Sequence, residues 1–139
     1  MRVLALTRYD RLGASSRLRT LQFVEPLARS GIAITTAPLF GDDYVAALYA
    51  RRGRSTIVLS SFVRRLRNLI RTTEFDAIWL EKEVLPWVPS FVELSLLPRR
   101  LPLVVDFDDA IFHRYDLHPS WFVRRLLGRK IDAVMARAD

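Results

Sequence analysis

The sequence predicts an α/β fold with a doubly wound parallel sheet that helices cover on both faces. Short apolar runs recur along the chain, and each is long enough for one buried strand. Segments with apolar residues at three- and four-residue spacing separate these runs and predict helices. Because a right-handed crossover between parallel strands lays a helix on the sheet, this alternation favours parallel strands with helices on either side.

The first elements are a strand and a helix. Residues 3–7 form a short apolar run without helical period, which predicts a buried strand. Ser15 or Ser16 can cap the helix that follows, and Gly31 is a natural terminator for it. Pro26 is expected to bend the last turn. The apolar stripe of this helix consists of Leu18, Leu21, Val24, Leu27 and Ala28.

The middle of the chain predicts a second strand and two helices. Residues 32–39 are rich in β-branched side chains and predict the strand. Residues 42–51 predict a short helix with an acidic cap, and residues 55–72 predict a longer one. The apolar face of the longer helix has Leu59, Phe62, Val63, Leu66, Leu69 and Ile70. The opposite arc is basic, with Arg64, Arg65, Arg67 and Arg71.

The C-terminal part predicts two more strands and two more helices. Residues 75–81 and 103–105 are the strands, and residues 86–97 form a helix that a proline begins. Residues 119–138 form the last helix, whose inward side chains are Val123, Leu126, Leu127, Ile131 and Val134. The predicted order, β-α-β-α-α-β-α-β-α, is that of a Rossmann-like sheet. Because no strand follows the last helix, we expect these 139 residues to be the N-terminal domain of a longer protein.

Composition and charge narrow the function classes. The chain has 139 residues, half of them apolar, which fits one domain with a proper core. It has no cysteine and few glycines, which excludes disulfide scaffolds, collagen-like repeats and thiolate chemistry. The net charge is +7, and all but two of the 22 basic residues are arginine. The sequence lacks a signal peptide and a long apolar run, so we expect a cytoplasmic protein that can touch the inner face of the membrane.

Polar residues cluster where three predicted strands end. Residues 8–16, 81–84 and 106–115 follow strands whose carboxyl ends meet at one sheet edge, where doubly wound folds bind ligands. The first segment leads into a helix start, whose free amides can bind an anion, although an ordinary capped turn with solvated arginines explains it equally well. It also lacks the glycine pattern of a dinucleotide site. The candidate binding residues of the first two segments and of the helix turn that follows residue 16 are Gly13, Ser15, Ser16, Arg17, Arg19 and Glu81.

The strongest local signal is a run of three carboxylates, Asp106, Asp108 and Asp109, directly after the last predicted strand. Like charges at this spacing need a metal ion, an arginine, hydrogen bonds or a raised pKa to relieve their repulsion. His113 follows closely enough to share the site. The plainer alternative is that Asp109 caps a turn and the other two carboxylates are solvated.

The arginines of residues 51–71 have two interpretations. They can form a solvated face over a packed apolar stripe, which is the commoner case. Together with Arg51, Arg52 and Arg54, the helix can also present a patch to anionic lipid headgroups. Nucleic acid would be attracted as well, but the sequence has no reading motif for it and no interleaving of basic and aromatic residues.

Three segments together resemble the N-terminal domain of GT-B glycosyltransferases: residues 2–7, 13–19 and 103–113. The likeness is greatest to the retaining enzymes that use sugar nucleotides in bacterial polysaccharide and glycolipid synthesis, and it covers essentially the whole chain. It implies a domain that binds a glycan or lipid-linked acceptor. The nucleotide-sugar donor would be held by a C-terminal domain outside this chain, and the present domain would bind no cofactor of its own.

The resemblance also assigns roles to the candidate residues. It places the Gly13 loop near the acceptor and the donor diphosphate. Many members have a histidine where Asp108 stands here, so Asp108 and the nearby His113 are the catalytic candidates. The family needs no metal held by an Asp-x-Asp pair. The resemblance therefore implies that the carboxylate run binds acceptor hydroxyls, or positions Arg17 or Arg19, without a metal ion.

Two other functions remain open. Residues 106–110 resemble the first motif of haloacid-dehalogenase-type phosphatases, in which Asp106 would be the nucleophile and Asp108 would move protons beside Mg²⁺. In those enzymes the motif ends the first strand, whereas here only 30 residues follow Asp109. The other alternative is a non-enzymatic basic domain that binds a membrane surface or nucleic acid.

Overall fold

The computed structural model describes residues 1–139 and contains a four-stranded sheet in which all strands are parallel. The strands are β1 (Arg2–Leu6), β2 (Ala33–Thr36), β3 (Ala77–Glu81) and β4 (Leu103–Asp106). Their order in the sheet is β2-β1-β3-β4. The predicted α/β class with a Rossmann-like parallel sheet is therefore confirmed.

Eight helices accompany the strands. They are α1 (Ala14–Arg19), α2 (Val24–Arg29), α3 (Asp42–Tyr49), α4 (Ser55–Ile70), α5 (Ser90–Ser95), α6 (His113–Asp116), α7 (Trp121–Leu127) and α8 (Lys130–Arg137). A 3-10 turn, Leu21–Phe23, lies between α1 and α2. None of the helices is both long enough and apolar enough to span a membrane.

The strand order creates a topological switch point between β1 and β3. From β1 the chain moves to β2 on one side, and it later returns past β1 to form β3 on the other side. The register pairs Leu6 with Leu80 and Glu81 with Asp106. The residues that follow β1, β3 and β4 therefore meet at one edge of the sheet. In doubly wound folds, ligands bind in the crevice at this point.

The main core lies on one face of the sheet. Five strand residues that point to this face are almost completely buried: Leu4, Leu6, Ile78, Leu80 and Leu103. A smaller core joins the segment after β4 to the last two helices, through Ile111, Tyr115, Leu127 and Ile131. The opposite face is more open than predicted. There Val104 of β4 is exposed, and an apolar cavity of about 270 Å³ lies between it and Leu27 of α2.

The first predicted helix is divided into α1, the 3-10 turn and α2. Pro26 has no N–H to donate to the carbonyl four residues earlier, so an unbroken helix would lose a hydrogen bond there. The break places Pro26 in the first turn of α2, where no such bond is needed. The sequence predicted one helix with a bend in its last turn, whereas the structure has a break further upstream, between α1 and α2. The apolar stripe is also only partly packed, since Leu18 is exposed.

The last predicted helix is also divided, because α7 ends at Leu127 and α8 begins at Lys130. Gly128 is the C-cap residue of α7. A larger residue does not fit there, because a Cβ would lie 2.4 Å from the carbonyl oxygen of Arg124. Of the five side chains expected to point inward, Leu126 is instead exposed. A further short helix, α6, was not predicted.

The orientation of α4 differs from the prediction. Its buried residues are Ser61, Arg65 and Leu69. Arg65, expected on the solvated arc, is only 1% exposed and donates hydrogen bonds to the carbonyls of Thr7 and Ala37 at 2.6 and 2.9 Å. Burial lowers the pKa of Arg65 to about 9, and the two carbonyls compensate part of the cost of burying it. The apolar residues that this rotation leaves exposed are Leu59, Val63, Leu66 and Ile70.

Candidate functional site

Glu81, at the end of β3, is the buried centre of the candidate site, with 1% of its surface exposed. Its two carboxylate oxygens accept three hydrogen bonds from the N-terminal segment. Ser15 Oγ donates to Oε1 at 2.6 Å, and Ser16 Oγ donates to Oε2 at 2.5 Å. The backbone N–H of Arg8 donates to Oε2 at 2.9 Å. These bonds compensate the desolvation of the carboxylate and attach the start of α1 to the end of β3.

Gly13 lets α1 begin close to the preceding loop. Its φ of −77° is open to any residue. A Cβ at this position, however, would lie 2.1 Å from the Cβ of Tyr9. The N–H of Tyr9 in turn donates to Ser16 Oγ at 2.9 Å. The glycine is therefore needed for close packing, and the hydroxyl of Ser16 is held between Tyr9 and Glu81.

Basic side chains neutralise all three carboxylates of the run after β4. Arg19 binds Asp106 through two N–H groups, one of them Nε at 2.9 Å from Oδ2. Lys82 Nζ lies 2.6 Å from Asp108 Oδ1 and 3.2 Å from Asp109 Oδ2. The positive charges of Arg19 and Lys82 thus relieve the repulsion between the three carboxylates. No group of three or more His, Asp and Glu side chains is arranged to hold a metal ion.

Lys82 is the site residue that sequence reasoning missed. Its φ of +67° lies in the left-handed region, which a lysine rarely adopts. Burial lowers its pKa, but the hydrogen bonds to Asp108 and Asp109 outweigh burial, so the pKa lies above its ordinary value. The one signal in the sequence was its place between two glutamates at the end of a predicted strand.

Asp108 is a carboxylate of the site that can accept a hydrogen bond from a ligand. Ser15 Oγ lies 3.0 Å from Asp108 Oδ2 as well as 2.6 Å from Glu81 Oε1. A hydroxyl has a single proton, and the shorter contact favours Glu81 as its acceptor. Oδ2 of Asp108, on a partly exposed side chain, is therefore free to accept a hydrogen bond from a bound hydroxyl.

The ionisation of Asp108 limits the chemistry it can perform. Burial raises its pKa, but the net pKa lies below its ordinary value, and Lys82 contributes to lowering it through a hydrogen bond and its positive charge. An efficient general base has a pKa near the working pH. At neutral pH, Asp108 is thus suited to accepting hydrogen bonds and to electrostatic stabilisation, and poorly suited to removing a proton.

Two predicted site residues make their hydrogen bonds elsewhere. Arg17 donates to the carbonyl of Arg11 at 3.1 Å. His113 Nδ1 lies 3.1 Å from Asp116 Oδ1, on an exposed part of α6. Neither side chain has a hydrogen bond to the cluster around Glu81 and Asp108. The structure therefore brings together the serines of the first loop, Arg19, Glu81 and the carboxylate run, but not Arg17 or His113.

A second ionic cluster lies buried beside the site. Glu83 accepts hydrogen bonds from Arg8 Nη1 at 3.1 Å and from Tyr115 Oη at 2.7 Å. Lys130 Nζ lies 3.4 Å from Glu83 Oε2 and 2.5 Å from Glu93 Oε1. Sequence reasoning missed this cluster. The only signal for Lys130 was its spacing, which places it on the inward face of the last predicted helix.

Comparison of the chain with protein-family models, with curated proteins and with solved structures finds no match. The site is therefore interpreted from its own chemistry. It combines an ionised, partly exposed carboxylate with fixed cations at a switch point of the sheet. This arrangement suits a ligand that donates hydrogen bonds through hydroxyl groups.

Proposed function

We propose that this chain is the acceptor-binding domain of a GT-B-type glycosyltransferase. Such an enzyme would transfer a sugar from a nucleotide-sugar to a glycan or lipid-linked acceptor in cell-envelope polysaccharide or glycolipid synthesis. The observation that carries the proposal is the contact of Ser15 with Asp108 at the switch point. It joins two of the segments that resemble this family, although their residues lie 93 positions apart in the chain.

The chemistry of the site supports an acceptor role. A sugar offers neighbouring hydroxyls, and Oδ2 of Asp108 can accept a hydrogen bond from one of them. Arg19 is bound to Asp106, which favours a positioning role for this pair. The same ion pair disfavours the phosphatase alternative, since Asp106 would have to be a free nucleophile there.

The test is a binding assay of the 139-residue chain on an array of oligosaccharides and lipid-linked saccharides. Asp108→Asn should weaken saccharide binding by roughly tenfold or more, the value expected for a hydrogen bond to a charged group. Asp132→Asn changes an exposed carboxylate on α8 and is the matched control. Neither variant should change the circular dichroism spectrum.

Two results would contradict the proposal. Turnover of a sugar nucleotide by these 139 residues alone would contradict the two-domain interpretation, because the donor half would then be unnecessary. Mg²⁺-dependent hydrolysis of a simple phosphate ester, abolished by Asp106→Asn, would favour the phosphatase alternative instead.

A further inference from the structure

The outer face of α4 carries a continuous row of apolar side chains. Leu59, Val63, Leu66 and Ile70 are 68%, 42%, 37% and 79% exposed. Their spacing of four, three and four residues places them on one side of the helix. We call this row the α4 stripe. Single exposed apolar residues are ordinary, but a row of four along one helix indicates a surface that another molecule covers.

Unpaired arginines border the α4 stripe. Arg67 occupies the next position around the helix, and Arg71 directly follows its last turn. Arg51 and Arg52 are exposed just before the helix begins. None of these four forms an ion pair within the chain, whose residues 44–73 include no aspartate or glutamate. The surface therefore offers an apolar strip and an uncompensated positive charge side by side.

We propose that α4 lies in the surface of an anionic lipid bilayer, with the α4 stripe among the acyl chains and the arginines at the headgroups. An anionic bilayer would bind both parts of this surface, since its acyl chains would cover the apolar side chains and its headgroups would pair with the arginines. A second copy of the chain would bring arginines against arginines with no acidic partner nearby. A nucleic acid would contact the arginines but leave the stripe in water. The proposal does not depend on the proposed function.

The first test measures how much of the 139-residue chain sediments with vesicles. Binding should be strong to phosphatidylcholine mixed with phosphatidylglycerol, weak to phosphatidylcholine alone, and reduced by salt. The double variant Arg67→Gln/Arg71→Gln should bind roughly twenty-five-fold more weakly, about fivefold for each arginine. The double variant Leu59→Gln/Ile70→Gln should bind at least about tenfold more weakly, because the buried apolar area is lost.

Matched controls lie on other helices of the same chain. Met135→Gln changes an exposed apolar residue of α8, and Arg125→Gln changes an exposed arginine of α7. Neither should alter binding. Equal effects of control and test variants would overturn the proposal. Vesicle binding by Leu59→Gln/Ile70→Gln that equals that of the unsubstituted chain would also overturn it. A third contrary result would be that the chain binds duplex DNA more tightly than vesicles and that this variant binds the DNA equally well.

A second measurement locates the inserted surface. Because the chain has no cysteine, Ile70→Cys creates a single site for a polarity-sensitive fluorophore. Its emission should shift to the blue when anionic vesicles are added, and the same label on Met135→Cys should not respond. A shift at position 135 without one at position 70 would overturn the proposal even if the chain binds vesicles.

Discussion

Lys130→Met should be among the most destabilising single substitutions in this chain. The side chain of Lys130 is fully buried, and its ammonium lies between two equally buried carboxylates, those of Glu83 and Glu93. It also donates hydrogen bonds to the carbonyls of Leu85 and Val88 at 3.0 and 2.7 Å. Methionine has a similar length but no charge, so Glu93 would remain buried without a cation, while Glu83 would keep its contact with Arg8.

The expected cost follows from this geometry. Removing one partner of a buried ion pair lowers the free energy of unfolding by about 3–5 kcal/mol. A domain has a total stability of only roughly 5–15 kcal/mol. For a domain of this size, the melting temperature should therefore fall by on the order of 10–15 °C. Urea unfolding, followed by circular dichroism and tryptophan fluorescence, measures this change in the free energy of unfolding. The slope of that free energy against urea concentration should be the same in the variant and in the unsubstituted chain.

The other lysine of the chain is a matched control. The ammonium of Lys82 binds Asp108 and Asp109, both of which keep contact with solvent. Lys82→Met should therefore cost on the order of 1 kcal/mol or less. Equal costs for the two lysine variants, or a cost below about 1 kcal/mol for Lys130→Met, would refute the assignment of Lys130 to a buried ionic cluster.

The pH dependence of Lys130→Met gives a second readout. Burial raises the pKa of Glu93 above 4.5 even though Lys130 opposes the shift. An acid whose pKa is raised by folding favours the folded state at low pH, and this contribution is lost as the pH rises through the folded pKa. Without Lys130 the pKa rises further. The variant should therefore recover stability as the pH falls from 7 toward 4.5, over a wider range than the unsubstituted chain.

Three further outcomes concern the site. Gly13→Ala should destabilise the fold by about 1–3 kcal/mol in thermal unfolding, because its Cβ would meet a tyrosine side chain. Gly53→Ala, where a Cβ meets no atom within 4 Å, should have almost no effect. The pKa of Asp108, followed by NMR of its carboxyl carbon, should rise toward its ordinary value in Lys82→Gln. In the unsubstituted chain, the stability that ionised Asp108 contributes above pH 3.8 should be lost as the pH falls through its pKa in the folded state. Arg19→Lys should weaken binding at the site because an ammonium cannot form the two-pronged contact, and unchanged saccharide binding would contradict this role.

Much of the candidate site was predictable because parallel strands share an orientation. Strands β1, β3 and β4 are visible as apolar runs, since a strand between two layers must be apolar over most of its length. Once they are parallel, the polar segments after them must meet at one edge. For this reason Ser15, Glu81 and Asp108 could be placed together from the sequence, although they are distant in the chain.

The sequence by itself thus determined the α/β class, the positions of the strands and the edge where polar residues gather, because these follow from local apolar patterns. Only the tertiary structure decided which side of α4 faces inward. The helical pattern of α4 suits burial of Leu59 and Leu66, but these are exposed and Arg65 is buried, because carbonyls after β1 and β2 accept its hydrogen bonds. The partners of Lys82 and Lys130 were decided in the same way. The counterion of a buried charge comes from a segment that is distant in the sequence. Local sequence patterns therefore do not show which charges pair, and only the folded structure does.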